Sequence, residues 1–262
     1  MSTSTLTTSA APVAETSINS VIPHRDYSSY RFRAEVDWIE LRLRTVTPTN
    51  FQTVRRRLGI GFAIPEASSA GGACNEFCAR FQAPKSWADI DERLKHLTVD
   101  HPLAEPPTVT GIEIALDAYS IGQHRDDLVE MAAHFYNGAT KLVSVNRRAS
   151  KRKGESHALE TLPQIQNLIA NGYNIYIGNQ TDPERQHIYL KETDSSTPLP
   201  PHQHRARTEF TLEREMLPVN SFNDWQAHDF TGFAPYFKFR HLKSDLSPWI
   251  SVPLNVKAQV GE

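Results

Sequence analysis

Four segments of this chain alternate apolar and polar residues with a period of two, and that pattern fixes what the chain can fold into. In FRAEVDWIELRLRTV, Ile39, Leu41 and Leu43 alternate with Glu40, Arg42 and Arg44. GIEIALD sets Ile112, Ile114 and Leu116 against Glu113, Ala115 and Asp117. RQHIYLK sets Ile188 and Leu190 against Arg185, His187, Tyr189 and Lys191, and RARTEFTLE sets Phe210 and Leu212 against Arg205, Arg207, Glu209 and Glu213. Successive side chains of a strand point to opposite faces, so each segment reads as a strand with one face on a core and the other polar. RQHIYLK is preceded by YNIYIG and the turn-rich NQTDPE, which reads as a hairpin.

Between these strands the apolar period changes to that of a helix. NFQTVRRRLG carries Phe51, Val54 and Leu58 at helical spacing and ends at Gly59, a C-cap residue. Ser86 opens SWADIDERLKHL, with Trp87, Ile90, Leu94 and Leu97 on one face and Asp89 in the first turn, near the positive end of the dipole. RDDLVEMAAHFY places Leu128, Met131, Ala132 and Phe135 in one stripe and is stopped by Gly138. HALETLPQIQNLIANG reads as a further helix whose Pro163 belongs to its N-terminal turn. NEFCARFQAP reads as a short apolar strand or a turn. The expected fold class is α+β, a mainly antiparallel sheet with helices packed on one face and a polar face opposite.

With 262 residues, 39% of them hydrophobic, the chain can build one substantial core. Residues 1–28 are rich in Ser, Thr and Ala without an apolar period and read as a disordered tail; 29–247 form the expected domain and 248–262 a C-terminal tail. No apolar run approaches the roughly 20 residues that span a bilayer, so a soluble, cytoplasmic protein with no membrane partner is expected. Cys74 and Cys78 are too few for a disulfide framework and have no second pair with which to hold zinc. A net charge of −2 gives no global positive field, so contact with nucleic acid must come from local patches. Two exist: Arg55, Arg56 and Arg57, and the cluster Arg147, Arg148, Lys151, Arg152 and Lys153. The second reads either as a solvated loop or as one that contacts phosphates.

The polar face is where chemistry can sit. It carries Tyr189, Lys191, His187, Glu209 and one or both of Glu113 and Asp117. A phenol is a weak nucleophile at neutral pH and needs a cation or a polarised phosphate beside it. Carboxylates are hard oxygen ligands for a divalent metal, Mg²⁺ or Mn²⁺. Glu113 and Asp117 are four residues apart, roughly 13 Å on a regular strand, so one would bind an ion and the other would orient a basic residue. Tyr189 and Lys191, about 6.6 Å apart, can serve one phosphate.

In the order GIEIALD, NIYIGNQTDPERQHIYLK, RTEFTLE, with DWIELRLR before them, the chain resembles the replication initiation factors of rolling-circle plasmids, filamentous phages and integrative elements. The likeness covers roughly Val36 to Glu215. It implies a metal-dependent enzyme that nicks an origin and transfers the strand, with Tyr189 as the nucleophile of a 5′-phosphotyrosyl link and Lys191 as its partner. Glu113, Asp117 and Glu209 would be metal-binding or supporting acids. Arg147, Arg148, Lys151, Arg152, Lys153, Arg185 and Arg207 would be the DNA contacts. A single-stranded or extruded DNA origin is the implied partner, with a host helicase and a second copy of the chain as further candidates. Departures are Gly111 where the family has Arg, Glu113 for Asp, and Asn179-Gln180 for Ser-Arg. A non-catalytic origin-binding regulator and the relaxase of an integrative element are the alternative readings. His202 and His204 resemble the metal-binding His pair of related nicking enzymes, but Gln203 between them and Pro200-Pro201 before them argue for a loop.

Overall fold

The computed structural model describes residues 27–66, 72–139, 146–152, 154–159, 161–194, 196–241 and 250–253. In chain order the elements are β1 (Tyr30–Asn50), α1 (Phe51–Leu58), β2 (Phe62–Pro65), β3 (Ala73–Gln82), α2 (Trp87–Thr98), β4 (Thr108–Ser120) and α3 (Arg125–Gly138). They continue with β5 (Arg147–Ser150), β6 (His157–Ala158), α4 (Leu162–Ala170), β7 (Asn174–Ile177), β8 (Glu184–Lys191), β9 (Thr193–Asp194), β10 (Thr197–Pro198), β11 (Arg205–Glu213), α5 (Phe222–Gln226), β12 (Lys238–His241) and β13 (Ile250–Pro253). One nine-stranded sheet runs β2-β3-β1-β4-β11-β8-β7-β5-β6, and every pairing in it is antiparallel. The α+β architecture expected from the alternation is present.

Register aligns the apolar phases of neighbouring strands. Ile39 pairs with Ile112, Leu212 with Ile112, Phe210 with Ile114 and Thr208 with Ile188. The apolar side chains among these are buried together with Val54 and Leu58 of α1, Ile90, Leu94 and Leu97 of α2, Leu128, Met131 and Phe135 of α3, and Ile165 and Ile169 of α4, in one core. The helices therefore cover one face of the sheet, and the opposite face carries the polar set.

Caps fix the helix ends. Asn50 accepts from the Thr53 N–H and starts α1, and Gly59, at φ 62°, ends it in the left-handed region that favours glycine. Ser86 caps α2, and Thr161 with Gln164 forms a capping box on α4, whose Pro163 sits in the first turn as expected. The helix expected over His157 to Gly172 is shorter than its sequence pattern: His157–Ala158 is strand β6, paired with β5. Residues 75–82 of NEFCARFQAP belong to a full ten-residue strand, β3, paired along β1. The cluster read as a basic loop is in part strand: Arg147–Ser150 is β5, held by β7. Lys153 lies outside the described residues.

The expected N-terminal tail falls outside the described residues as far as 26; Tyr27, next in the chain, packs on the core with its phenol oxygen 2.6 Å from Nε2 of His134. Within the stretch expected as a C-terminal tail, Ile250–Pro253 pairs with β12. Among the described residues no helix is long and apolar enough to cross a membrane. Cys74 and Cys78 are free thiols, and burial pushes that of Cys78 up to about 12.

Candidate active site

β8, β11 and β4 lie side by side, so their polar phases form cross-strand rows. Tyr189 stands opposite Arg207, which stands opposite Asp117; His187 stands opposite Glu209; Arg185 stands opposite Thr211, which stands opposite Glu113. The Tyr189 hydroxyl donates to Oε1 of Glu209 at 2.7 Å. Nδ1 of His187 lies 3.0 Å from the other oxygen of the same carboxylate, which assigns its proton to Nδ1. The His187 ring is sandwiched between Tyr176 at 4.6 Å and Tyr189 at 4.4 Å, centre to centre. This stack holds the phenol of Tyr189 over Glu209.

Beside Glu209 lie two more carboxylates. Oxygens of Asp37, Glu113 and Glu209 all approach within 4.8 Å of one another. Asp37 reaches them because β1 carries a bulge. Val36 pairs with Ile114 and Trp38 with Glu113, so Asp37 is an extra residue and turns with Trp38 to the polar face. The sequence shows the cause in its phase: Ala34 and Val36 are buried, then Ile39, Leu41 and Leu43, a slip of one position across Asp37 and Trp38. Strict alternation back from Ile39 assigns Asp37 to the core face, so it was not among the expected site residues.

Electrostatics distinguish the three acids. Burial, reinforced by the charge of Glu209, pushes Glu113 up to about 7. Burial and the same neighbour raise Asp37. Burial also acts to raise Glu209, but the hydrogen bond and charge of His187, the bond from Tyr189 and the charge of Arg207 outweigh it, so Glu209 is held below the usual carboxylate range. Burial, then the charge of Glu209, raises the Tyr189 phenol far above its ordinary value. Three hard oxygen donors that repel one another across less than 5 Å fit a divalent ion such as Mg²⁺ or Mn²⁺.

Asp117 is the acid that orients a basic residue, and Arg207, expected as a DNA contact, is that residue. Both are 1% exposed. Nε and an Nη of Arg207 bond the two oxygens of Asp117 at 2.6 and 2.7 Å, while its other contacts are Asp37 at 2.9 Å and Glu35 at 2.6 Å. Glu209 is 3.6 Å away. Arg207 is therefore enclosed by carboxylates and out of reach of DNA; Asp117 is spent on it and on Arg205, and does not join the acidic cluster. The spacing argument that separated Glu113 from Asp117 describes this arrangement: one acid faces the cluster, the other orients a cation.

The remaining expected residues divide by face. Arg148, Lys151, Arg152 and Arg185 line a groove of about 700 Å³ together with Tyr176 and His187, and its far wall is Glu113 and Thr211. Arg148 lies 5.1 Å from the centre of the Tyr176 ring. Arg185 is bound to Glu213 at 2.7 Å, whereas among the described residues Arg148 and Lys151 hydrogen-bond only backbone carbonyls, of Gly178 and Asn171. Arg147 has the opposite phase and reaches Tyr136 and the Ala139 carbonyl, away from the groove. Lys191 is on the polar face, with Asp194 at 3.4 Å. His202 is in a turn at Pro201–Gln203 and His204 is bonded to the Leu199 carbonyl, so the two do not form a metal pair.

Two glycines explain motif positions. Gly178, at φ 94°, turns the chain into the β7–β8 connection, and a Cβ there would lie 3.1 Å from Arg185. Gly111 leaves room for the Trp38 ring, which a Cβ would meet at 3.1 Å. The bulge thus fills the space that a larger residue would need.

No protein-family model and no curated protein matches the chain. Among solved structures it is similar to a rolling circle replication initiator protein from Geobacillus stearothermophilus, at a TM-score of 0.44 and 12% identity, over 82% of this chain and 89% of that one.

Proposed function

We propose that this chain initiates rolling-circle replication as a metal-dependent, sequence-specific endonuclease and strand transferase that nicks a DNA origin through Tyr189. One observation carries the reading: the Tyr189 hydroxyl is bonded at 2.7 Å to Glu209, a member of the acidic cluster, on a polar face beside a groove lined with cations. In this reading Tyr189 is the nucleophile, Glu209 its proton acceptor, and the neighbouring acids the hard ligands.

In the proposed reaction the Tyr189 oxygen bonds to phosphorus, the P–O3′ bond breaks, and the phenol proton passes to Glu209. The leaving oxygen takes a proton from water and becomes a 3′-OH. The 5′-phosphotyrosyl bond conserves the energy of the broken one, so rejoining needs no nucleotide cofactor. Asp37, Glu113 and Glu209 would hold Mg²⁺ or Mn²⁺, which as a Lewis acid would stabilise charge on the phosphate. His187 orients Glu209 and, with Tyr176, fixes the Tyr189 ring. Lys191 adds a positive charge near the reacting phosphate. Arg207 and Asp117 brace Asp37 and Glu209 from behind, and Arg148, Lys151 and Arg152 bind the strand in the groove.

The test is nicking of supercoiled DNA that carries the cognate origin, followed by mass spectrometry of the Tyr189 peptide. Wild-type protein with Mg²⁺ or Mn²⁺ should relax the DNA and carry a nucleotide on Tyr189, and Tyr189→Phe should do neither. Cutting that leaves no protein on the 5′ end assigns a metal-bound water as nucleophile instead. Binding without cutting by the wild type supports a non-catalytic origin regulator.

A further inference from the structure

Apart from Lys191, the row of residues beyond Tyr189, on the side away from the acidic cluster, has no part in the chemistry above. Tyr189 stands in line with Arg207, Asp117 and Arg33. One step toward the cluster is the line of His187 and Glu209. One step the other way, two residues along each strand and so about 6.6 Å off, Lys191 faces Arg205 and Tyr119 faces Arg31. Arg205 joins these two pairs, because its guanidinium lies 5.7 Å from the Tyr119 ring centre, and Arg31 covers the same ring at 4.7 Å.

This ledge is cationic, with Arg31 and Arg33 facing solvent and Arg205, paired to Asp117 at 3.0 Å, and Lys191 largely covered beneath them. Arg31 is exposed and makes no ion pair among the described residues. Arg33 has a 59% exposed side chain and, among the described residues, one ion pair, a 3.4 Å contact with Glu35. The acids that face the ledge are already engaged: Glu35 and Asp117 are bonded to Arg207. Among the described residues, Asp194, 3.4 Å from Lys191, and the partly exposed Glu35 add outward negative charge. An aromatic ring capped by a guanidinium, in a line of cations, is a surface on which a phosphodiester chain can lie and a base can stack without regard to sequence.

An enzyme that cuts within a strand must hold nucleotides on both sides of the reacting phosphate. The groove reaches from Glu113 and Thr211 past His187 and Tyr176 to β5, on the acidic-cluster side of Tyr189, and the ledge lies on the other side, along Lys191, Arg205, Tyr119 and Arg31. We infer that Arg31, Arg33 and Tyr119, with Lys191 and Arg205, form a second track for single-stranded DNA, holding the side of the scissile phosphate opposite to the groove. This rests on the reading of Tyr189 as the nicking residue.

Binding of oligothymidylates of about six and about 24 nucleotides, measured by fluorescence anisotropy in a chelator over a range of salt, tests the ledge without cutting. The double variant Arg31→Ala/Arg33→Ala should flatten the slope of log K against log salt for the long oligomer by about 1.4, two contacts at roughly 0.7 each. The short oligomer, held by the groove, should bind as before. Arg152→Ala should weaken both. An unchanged slope for the long oligomer, no binding of it at low salt, or equal losses on both lengths overturns the second track. Arg31→Glu, with its melting temperature recorded, guards against misfolding: it should weaken only the long oligomer, and a loss on both or on neither rejects the ledge. Failure of the nicking reading appears separately, as nicking that survives Tyr189→Phe.

Discussion

Glu113 and Asp117 lie on one strand and one face, four residues apart, yet their surroundings are opposite. Asp117 is 1% exposed and shares both oxygens with Arg207, with Arg205 at 3.0 Å besides. Glu113 accepts hydrogen bonds from the Thr211 hydroxyl at 2.6 Å and from Trp38 and, among the described residues, pairs with no cation; its charged neighbours are Glu209 and Asp37. A buried acid already matched by a guanidinium is architectural, and removing either partner strands the other. A buried acid facing its own kind is destabilised when charged and gains by binding a cation.

The contrast breaks most visibly in stability. Asp117→Ala leaves the Arg207 charge unmatched by its best partner and should cost about 3–5 kcal/mol in urea unfolding, enough to threaten the fold. Glu113→Gln should be neutral or stabilising above pH 7. Equal losses in the two variants would erase the distinction. Next in size, a divalent ion at a hundredfold excess over its Kd should raise the stability of the wild type by about 2.7 kcal/mol, read as a rise in melting temperature. Glu113→Gln and Asp37→Asn should show little of that rise.

The smallest effect is the pH dependence of the metal-free protein. Glu113 has a folded pKa of about 7, above its ordinary 4.5. The folded state therefore binds the proton more tightly than the unfolded state, and stability from this group falls as pH rises from 4.5 through 7. The loss should be on the order of 2 kcal/mol. Thermal melts of wild type and Glu113→Gln from pH 4.5 to 8 should diverge over that window, with the slope reduced in the variant. Parallel curves would place the ordinary carboxylate value on Glu113.

Much of this was legible in the chain because alternation and helical stripes are local. Tyr189, Glu209 and Glu113 could be put on polar faces from their own segments, and the non-equivalence of Glu113 and Asp117 followed from rise per residue alone. Short elements were less legible: Arg147–Ser150 has no alternation and is a strand only because β7 pairs with it. Arg207 looked like a DNA contact because a lone strand shows an outward arginine, but not the four carboxylates that converge on it from β1, β4 and β11.

The sequence by itself determined which side of β4, β8 and β11 is polar, where α1, α2 and α3 lie, and that Tyr189 shares a face with acids. Only the tertiary structure decided which acids share a site. Side-chain direction alternates within a strand whatever lies beside it, so it can be read from neighbours in the chain. The bulge that delivers Asp37, the pairing of β11 with both β4 and β8, and the enclosure of Arg207 arise between residues up to 172 positions apart. Such register is fixed by the packing of the whole sheet on its core, where a slip of one residue would turn every side chain of a strand to the wrong face.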